Sequence, residues 1–300
     1  FPFVPESVPP GKRDSQEIDS PEIFMFPSFY ILYGPFFPFV KEKHSSGLSP
    51  PLGVNFLMAP SLLSILIPVY NEEKSVRTLV ERVLSVPLPL EREILLIDDG
   101  SRDGSGRILE LLAQQDHRVR VFSNPGNRGK GYSVRRGIEE ARGDLILIQD
   151  ADLEYDPQEY PLLLEPLLKG EADVVYGSRF LGKPQAPLSL HRFANGFLTA
   201  LSNWACRLSL TDMETCYKVF KSESVKSLLL KEDRFGIEPE LTFKLSRLPK
   251  VRFQEVPISY RGRTPEEGKK IGWRDGFRAL FVILHYRLLW SVKGEASFRK

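Results

Sequence analysis

A chain of 300 residues, 42% hydrophobic and 27% charged, is ordinary for a globular protein of one large or two small domains. Its formal net charge of +2 excludes a polyanion binder, and with it a nucleic-acid partner, on composition. Cys206 and Cys216 have neither metal-ligand spacing nor a secretory signal beside them, so they read as reduced core thiols of a cytosolic protein.

Residues 1–60 differ from the rest, holding eleven of the 24 prolines and nine of the 20 phenylalanines. That proline density breaks helical and strand periodicity, which predicts disorder or poor packing before about residue 60. No basic segment precedes a continuous apolar one, so the stretch is a poor signal peptide. The chain begins at Phe1, and Met58-Ala-Pro-Ser stands directly before the first convincing strand. Met58 is therefore the expected natural start, behind an over-called reading frame.

From Leu62 the pattern changes. Leu63 to Pro68 is strand-like, and Val76, Leu79, Val80, Val83 and Leu84 repeat at helical spacing after the polar residues 71–75. Glu93 to Ile97 is a second strand, followed by a helix with Ile108, Leu111 and Leu112 on one face. Val119–Phe122 is a third, and Gly129-Lys130-Gly131 opens a helix to about Ala141. Leu145–Ile148 is the fourth and Ala172–Tyr176 the fifth. Further on, Phe193, Phe197, Leu198, Leu201 and Trp204 form one apolar helical stripe, and Ile271 to Trp290 carries another. No run reaches the roughly 18–20 apolar residues of a spanning helix.

Strands alternating with helices at this spacing predict an α/β fold, a doubly wound, mostly parallel sheet flanked by helices. Ligands of such sheets sit beyond the carboxyl ends of the strands. There the chain reads Val69-Tyr-Asn-Glu72, Asp98-Asp-Gly-Ser101, Asp150-Ala-Asp152 and Gly177-Ser-Arg179. Asp150 and Asp152 would point the same way from an extended chain, two hard oxygen ligands suited to Mg2+ or Mn2+. Tyr70 can flank a base, while Glu72, Asp98 and Asp99 can accept hydrogen bonds from base or ribose. Asn127 to Gly131 adds a glycine-rich approach and a cation at a helix start, where backbone N–H groups favour phosphate. No Gly-x-Gly-x-x-Gly follows the first strand, and no P-loop is present.

These motifs, in this order, resemble the GT-A catalytic domain of glycosyltransferase family 2 over about residues 61–290. Asp212 to Lys218, Phe235 to Glu240, and Arg263 to Ile271 followed by Trp273-Arg-Asp-Gly276 narrow the resemblance to the polyprenyl-phosphate sugar synthases, dolichyl and undecaprenyl. The resemblance implies inverting, metal-dependent transfer of a hexose from UDP-glucose or GDP-mannose to a polyprenyl phosphate. Pro68, Tyr70, Glu72, Asp98 and Asp99 would contact the nucleoside, and Gly129, Lys130, Ala151 and the Asp150/Asp152 pair the rest of the donor. Asp150 and Asp152 would hold the Mg2+ or Mn2+, with Glu154 completing its shell where some members carry Gln. Arg179 and Arg192 would bind the acceptor phosphate and, with Asp152, carry the catalysis. Arg263, Lys269 and Lys270 would lie on a mobile loop closing over the donor phosphates.

Val251 to Lys300 holds eleven Lys/Arg against five Asp/Glu. Its Ile271–Trp290 segment interleaves Arg274, Arg278 and Arg287 with Phe277, Leu280, Phe281, Leu284, Leu288 and Leu289, a mixture suited to an interfacial helix. The domain reading is an extension over 1–60, a catalytic domain over 61–260, and a basic loop with an amphipathic helix over 261–300. A peripheral place on the cytoplasmic face of a membrane follows, with the membrane surface, and a membrane protein, as partners. A sugar-hydroxyl acceptor is the alternative, with Asp212, Glu214 or Glu240 as base; a non-catalytic nucleotide-sugar sensor is a third reading.

Overall fold

The apolar runs fold as buried strands. In the computed structural model, which describes residues 60–181, 190–263 and 273–293, β1 (Leu62–Val69) sits inside the sheet with Leu63, Ile65, Leu66 and Ile67 fully buried. Truncating any one to Ala would cost about 2–5 kcal/mol. β1 pairs in parallel with β2 (Glu91–Asp98) from Leu62↔Glu91 to Val69↔Asp98, and on its other side with β4 (Leu145–Ile148). β3 (Val119–Ser123) forms one edge beside β2. The first 59 residues and Lys269 and Lys270 lie outside the described residues, and with them the expected disorder and the Met58 start.

The remaining strands are β5 (Val174–Ser178), β6 (Lys218–Lys221) and β7 (Phe253–Pro257), giving the order β3-β2-β1-β4-β6-β5-β7. β6 runs antiparallel to both β4 and β5, and every other pairing is parallel. The mixed α/β sheet thus agrees with the sequence reading, while β6 and β7 are additions to it. The fifth strand starts two residues later than expected.

Helices α1 (Val76–Ser85), α2 (Ser105–Gln115), α3 (Lys130–Glu140) and α4 (Tyr160–Leu168) fill the crossovers between parallel strands. α3 packs close because Gly137 has no side chain: a Cβ there would stand 3.1 Å from Leu66. α5 (Leu190–Cys206) and the short α6 (Ser222–Lys226) flank β6. α7 (Ile237–Leu245) is buried at all nine positions. α8 (Trp273–Lys293) packs against α5 and α7, burying Ala279, Val282, Ile283 and Tyr286. Tyr286 stacks on Phe243 of α7 at 5.7 Å between ring centroids. Cys206 and Cys216 are free and buried.

Candidate active site

Parallel pairing brings the carboxyl ends of β1, β2, β4 and β5 to one edge of the sheet. The antiparallel β6 adds its amino end there, since Lys218 pairs with Ile148 at the last residue of β4. The loop Asp212–Tyr217 therefore joins the edge ahead of β6. Tyr260 to Arg263, just past β7, arrive the same way.

Asp150 and Asp152 follow β4. The Asp150 carboxylate meets Lys130 Nζ at 2.9 and 3.1 Å through its two oxygens. The same ammonium reaches Glu238 Oε1 at 3.1 Å, and Glu238 Oε2 is paired with Lys218 at 2.5 Å. Burial works against the charge of Lys130, but Asp150, Cys216 and Glu238 outweigh it and hold the ammonium well above the usual lysine range. Beneath Asp150, the buried Gln149 accepts from Tyr160 and Tyr217 hydroxyls at 2.7 and 2.8 Å and donates to the Asp150 carbonyl at 2.9 Å. That amide fixes the backbone from which the acid pair projects.

The Asp152 carboxyl is pushed up to about 7 by burial, then by the charges of Asp150 and Glu154. Two carboxylates forced together in this way fit a divalent cation, which removes the repulsion and accepts hard oxygen ligands. Glu154 serves elsewhere. Its Oε2 accepts from the Tyr260 hydroxyl at 2.8 Å and its Oε1 from the Arg263 N–H at 2.6 Å. Among the described residues no three acids, histidines or cysteines gather into a metal cluster. Glu154, expected to complete the shell, clasps the segment after β7.

Asp99 and Gly129, expected to meet the donor, also make contacts inside the protein. Asp99, 3% exposed, accepts from Asn124 Nδ2 at 2.9 Å and from the N–H groups of Arg128 and Gly129 at 2.9 and 2.7 Å. Both carboxylate oxygens accept from the loop itself. Of the N–H groups around this helix start, expected to favour phosphate, those of Arg128 and Gly129 donate to Asp99, and that of Tyr132 donates to the Asp233 carbonyl. Gly129, at φ +103°, is demanded by the protein: a Cβ would come within 2.4 Å of that same carbonyl. Asp98 accepts from the Ser101 N–H at 3.0 Å and stays partly open, as do Pro68 and Tyr70. Ala151, 4% exposed, separates the acid pair.

Glu72, also expected to meet the nucleoside, is bound bidentately by the Arg263 guanidinium at 3.0 and 2.9 Å and accepts from Ser75 at 2.5 Å. The two residues assigned to donor binding from opposite ends of the chain hold each other in this structure.

On the β5 side, Arg179 grips Asp212 through Nε and Nη2 at 2.6 and 2.7 Å, and Asn195 Nδ2 supports Asp212 at 3.2 Å. Burial opposes the Arg179 charge, but Tyr155 and Asp212 overcome it. The guanidinium carbons of Arg179 and Arg192 lie 5.6 and 5.4 Å from the Phe180 ring centroid, so the two expected acceptor residues share one aromatic platform. Arg192 sits on α5 beside Phe193, which is 74% exposed. Phe197 and Trp204 on α5, and Phe277, Phe281 and Leu288 on α8, are each more than half exposed. The apolar stripe read along α8 therefore faces outward, and a different face packs inward.

Gln149, Lys218, Glu238, Tyr217 and Tyr260 were missed. Gln149 sits inside an apolar run, and Lys218 opens a strand that reads Lys-Val-Phe-Lys; neither looks like site chemistry in one dimension. Of the carboxylates considered as a base, Asp212 is taken by Arg179. Glu240 accepts from Lys231 N, Glu232 N, Lys244 and Tyr286.

A mixed α/β sheet with an acidic pair, cations and an aromatic-backed arginine on one edge defines a GT-A glycosyltransferase. The chain belongs to glycosyl transferase family 2, whose model matches residues 64–228. It is 43% identical over 212 residues to an undecaprenyl-phosphate 4-deoxy-4-formamido-L-arabinose transferase of Pseudomonas aeruginosa, covering 69% of this chain and 60% of that one. It is 28% identical over 252 residues to a dodecaprenyl-phosphate galacturonate synthase of Rhizobium johnstonii, covering 83% and 73%. A further match, to an undecaprenyl-phosphate 4-deoxy-4-formamido-L-arabinose transferase of Shewanella sediminis, covers 65% of that relative at 30% identity. This chain thus spans about two thirds of these relatives. Among solved structures, glucosyl-3-phosphoglycerate synthase from Mycobacterium tuberculosis, with Mn2+, UDP and phosphoglyceric acid, matches with a TM-score of 0.58 at 21% identity, covering 76% of this chain and 78% of that one. That likeness carries the fold.

Proposed function

We propose that this glycosyltransferase moves a hexose from a nucleotide sugar, a UDP- or GDP-hexose, to the phosphate of a polyprenyl carrier at a membrane surface. The observation that carries the reading is the Arg179/Arg192 pair on Phe180, at the foot of a helix with exposed Phe193 and Phe197. An anion site opening onto an apolar surface suits a lipid phosphate. The relatives' names, with undecaprenyl- and dodecaprenyl-phosphate in them, support the same acceptor class. They also name other sugars, so the donor sugar is the least constrained part of the reading.

A phosphate monoester has a second pKa of about 6 and is already mostly dianionic at neutral pH. Such an acceptor needs orientation more than it needs a base. Arg179, held by Asp212 through Nε and Nη2, presents its remaining N–H groups in one direction, and Arg192 adds a second charge. Lys130 stands on the donor side, where the departing diphosphate gathers negative charge. Asp150 and Asp152 would hold Mg2+ or Mn2+, which supplies charge neutralisation to that leaving group. Direct displacement through an oxocarbenium-like state inverts the anomeric centre. Arg263, paired with Glu72, stands at the donor edge.

No helix among the described residues is long and apolar enough to cross a membrane. The exposed apolar side chains of α5 and α8, interleaved with Arg274, Arg278 and Arg287, suit an anionic bilayer surface. We assign the cytoplasmic face, with two unpaired cysteines in support. The domain reading is a catalytic unit over 61–260 with α8 as its membrane-facing part. A hydroxyl acceptor would need Glu214 as its base, since Asp212 and Glu240 are engaged.

The test is transfer from labelled UDP- and GDP-sugars to vesicles carrying polyprenyl phosphate, with Mg2+, Mn2+ or EDTA. Metal-dependent label in the lipid fraction, lost in Arg179→Ala, is expected. Donor hydrolysis without lipid labelling would sink the acceptor assignment.

A further inference from the structure

The loop Asp212–Lys218 bridges the two halves of the edge. At one end Asp212 holds Arg179; at the other Lys218 holds Glu238, which reaches Lys130, itself paired with Asp150. Glu214 lies midway, two residues from Asp212 and two from Cys216, whose Sγ packs on the Ile148 carbonyl at 3.9 Å just before the acid pair. Cations are close to Glu214 on both sides, Lys218 and Arg179, and so are the acids Glu238 and Asp212.

Glu214 is unlike its neighbours. Its Oε1 is closed to water and has no hydrogen-bond partner among the described residues. Burial, then the Glu238 charge, pushes the carboxyl up to about 7. An unpaired polar group in the interior is costly, and natural proteins retain few of them. Thr215 next to it also has an unpartnered side-chain oxygen but is wholly buried, whereas Glu214 is partly open. A carboxyl with an unbonded oxygen, on a residue that is not wholly buried and close to Arg179 and Lys218, can still take up a ligand.

We propose that Glu214 is a specificity-determining residue that hydrogen-bonds hydroxyl groups of the sugar being transferred. The proposal rests on the reading of this edge as a nucleotide-sugar site. The transferred sugar must lie between the departing diphosphate, at Lys130 and Asp150, and the attacking phosphate, at Arg179. Glu214 feels the charges of both sides, Arg179 and Asp212 on one, Lys218 and Glu238 on the other. A carboxyl accepts or donates at either oxygen according to its protonation, and vicinal sugar hydroxyls do both. A nucleoside diphosphate carries no group for this position. Glu214 therefore discriminates between the nucleotide sugar and the bare nucleotide, and between sugars that differ in a hydroxyl.

The experiment measures binding of UDP, UDP-glucose, GDP and GDP-mannose by calorimetry with Mn2+, for wild type, Glu214→Ala and Glu214→Gln, with thermal unfolding of each protein alone. Glu214→Ala is expected to weaken the bound nucleotide sugar about ten-fold or more while leaving its nucleoside diphosphate unchanged. Glu214→Gln, which keeps an acceptor oxygen, recovers part of that loss. Without ligand both variants melt at or above the wild-type temperature, because an unpaired buried carboxyl has been removed. Equal weakening of sugar and diphosphate, or a lower melting temperature in Glu214→Gln, would overturn the proposal in favour of a framework role. Unchanged affinities with a reduced turnover number would overturn it in favour of a base. A wild-type protein that binds UDP or GDP but no nucleotide sugar beyond it overturns the proposal alone; one that binds none of the four ligands overturns the site reading beneath it.

Discussion

Lys130 and Asp150 are ion-paired at 2.9 Å across the mouth of the site, joining the start of α3 to the end of β4. Behind Lys130 the charges alternate inward through Glu238 to Lys218, the last fully buried. Opposite charges in a low-dielectric interior hold one another in place. Lys130 is thus delivered to the donor edge by a buried scaffold and not by a flexible stem.

Lys130→Met separates the scaffold from the site. Glu238 keeps Lys218, so folding should be disturbed only modestly. The donor loses a fixed cation where charge develops, and kcat/KM should fall about 100-fold. Initial rates beside a thermal melt check this. An unchanged rate would reduce Lys130 to a structural counter-ion.

Much of this was legible in the chain. β1, β2 and β4 are continuous apolar runs bounded by turn residues, and parallel pairing then puts their acidic ends together. β6 was not, because a four-residue strand that begins and ends with lysine carries no hydrophobic signal; Lys218 is buried only because Glu238 neutralises it. α7 hides similarly: Glu238, Glu240 and Lys244 make it polar in sequence, yet all three are paired inside. The internal partners of Asp99 were hidden as well. Next to the partly open Asp98 it looks like a ligand-binding acid, and its three donors lie 25 to 30 residues away. The clasp of Glu154 by Tyr260 spans 106 residues and leaves no local trace.

Arg179 and Asp212 make the second prediction. Arg179→Lys keeps the charge but loses the two-point grip on Asp212. The acceptor KM should rise about ten-fold while the donor KM holds, because a lysine ammonium is not fixed in direction. Asp212→Asn leaves a mostly buried guanidinium without its counter-charge, at a cost of about 3 kcal/mol. Steady-state kinetics with each substrate varied, and denaturant titration, read these effects. A donor-side KM change in Arg179→Lys would contradict the assignment of this arginine to the acceptor.

Glu154 and Glu72 together fasten the segment after β7, through Tyr260, the Arg263 N–H and the Arg263 guanidinium. Charge-assisted hydrogen bonds contribute about 1.5–3 kcal/mol each. Glu154→Ala removes two of them, so local opening of this segment should become at least about ten-fold more frequent. Tryptic cleavage after Arg261 and Arg263 is the measurement. It should accelerate in Glu154→Ala with global unfolding little changed; equal cleavage rates would mean that the clasp does not hold the segment.

Asp173 tests stability away from the site. It precedes β5 at the opposite edge of the sheet and accepts from Lys221 at 2.6 Å and from Arg252 Nε and N–H, each at 2.9 Å, tying β6 and β7 to β5. Burial alone would raise its carboxyl, but the Arg252 and Lys221 hydrogen bonds outweigh it and hold the group far below the usual carboxylate range. A depressed folded-state pKa stabilises wherever the group is ionised in both states. The contribution is therefore complete above the unfolded value of about 3.9 and is lost as pH falls below it. Arg252 is half exposed, so solvent screening keeps the contribution of the clamp modest. Asp173→Asn should lower the melting temperature at pH 7 by roughly 2–6 °C, and the gap to wild type should close as pH falls from 4 towards 2. Turnover at neutral pH should not change. A gap that widened in acid would show that Asp173 stabilises the fold through something other than its charge.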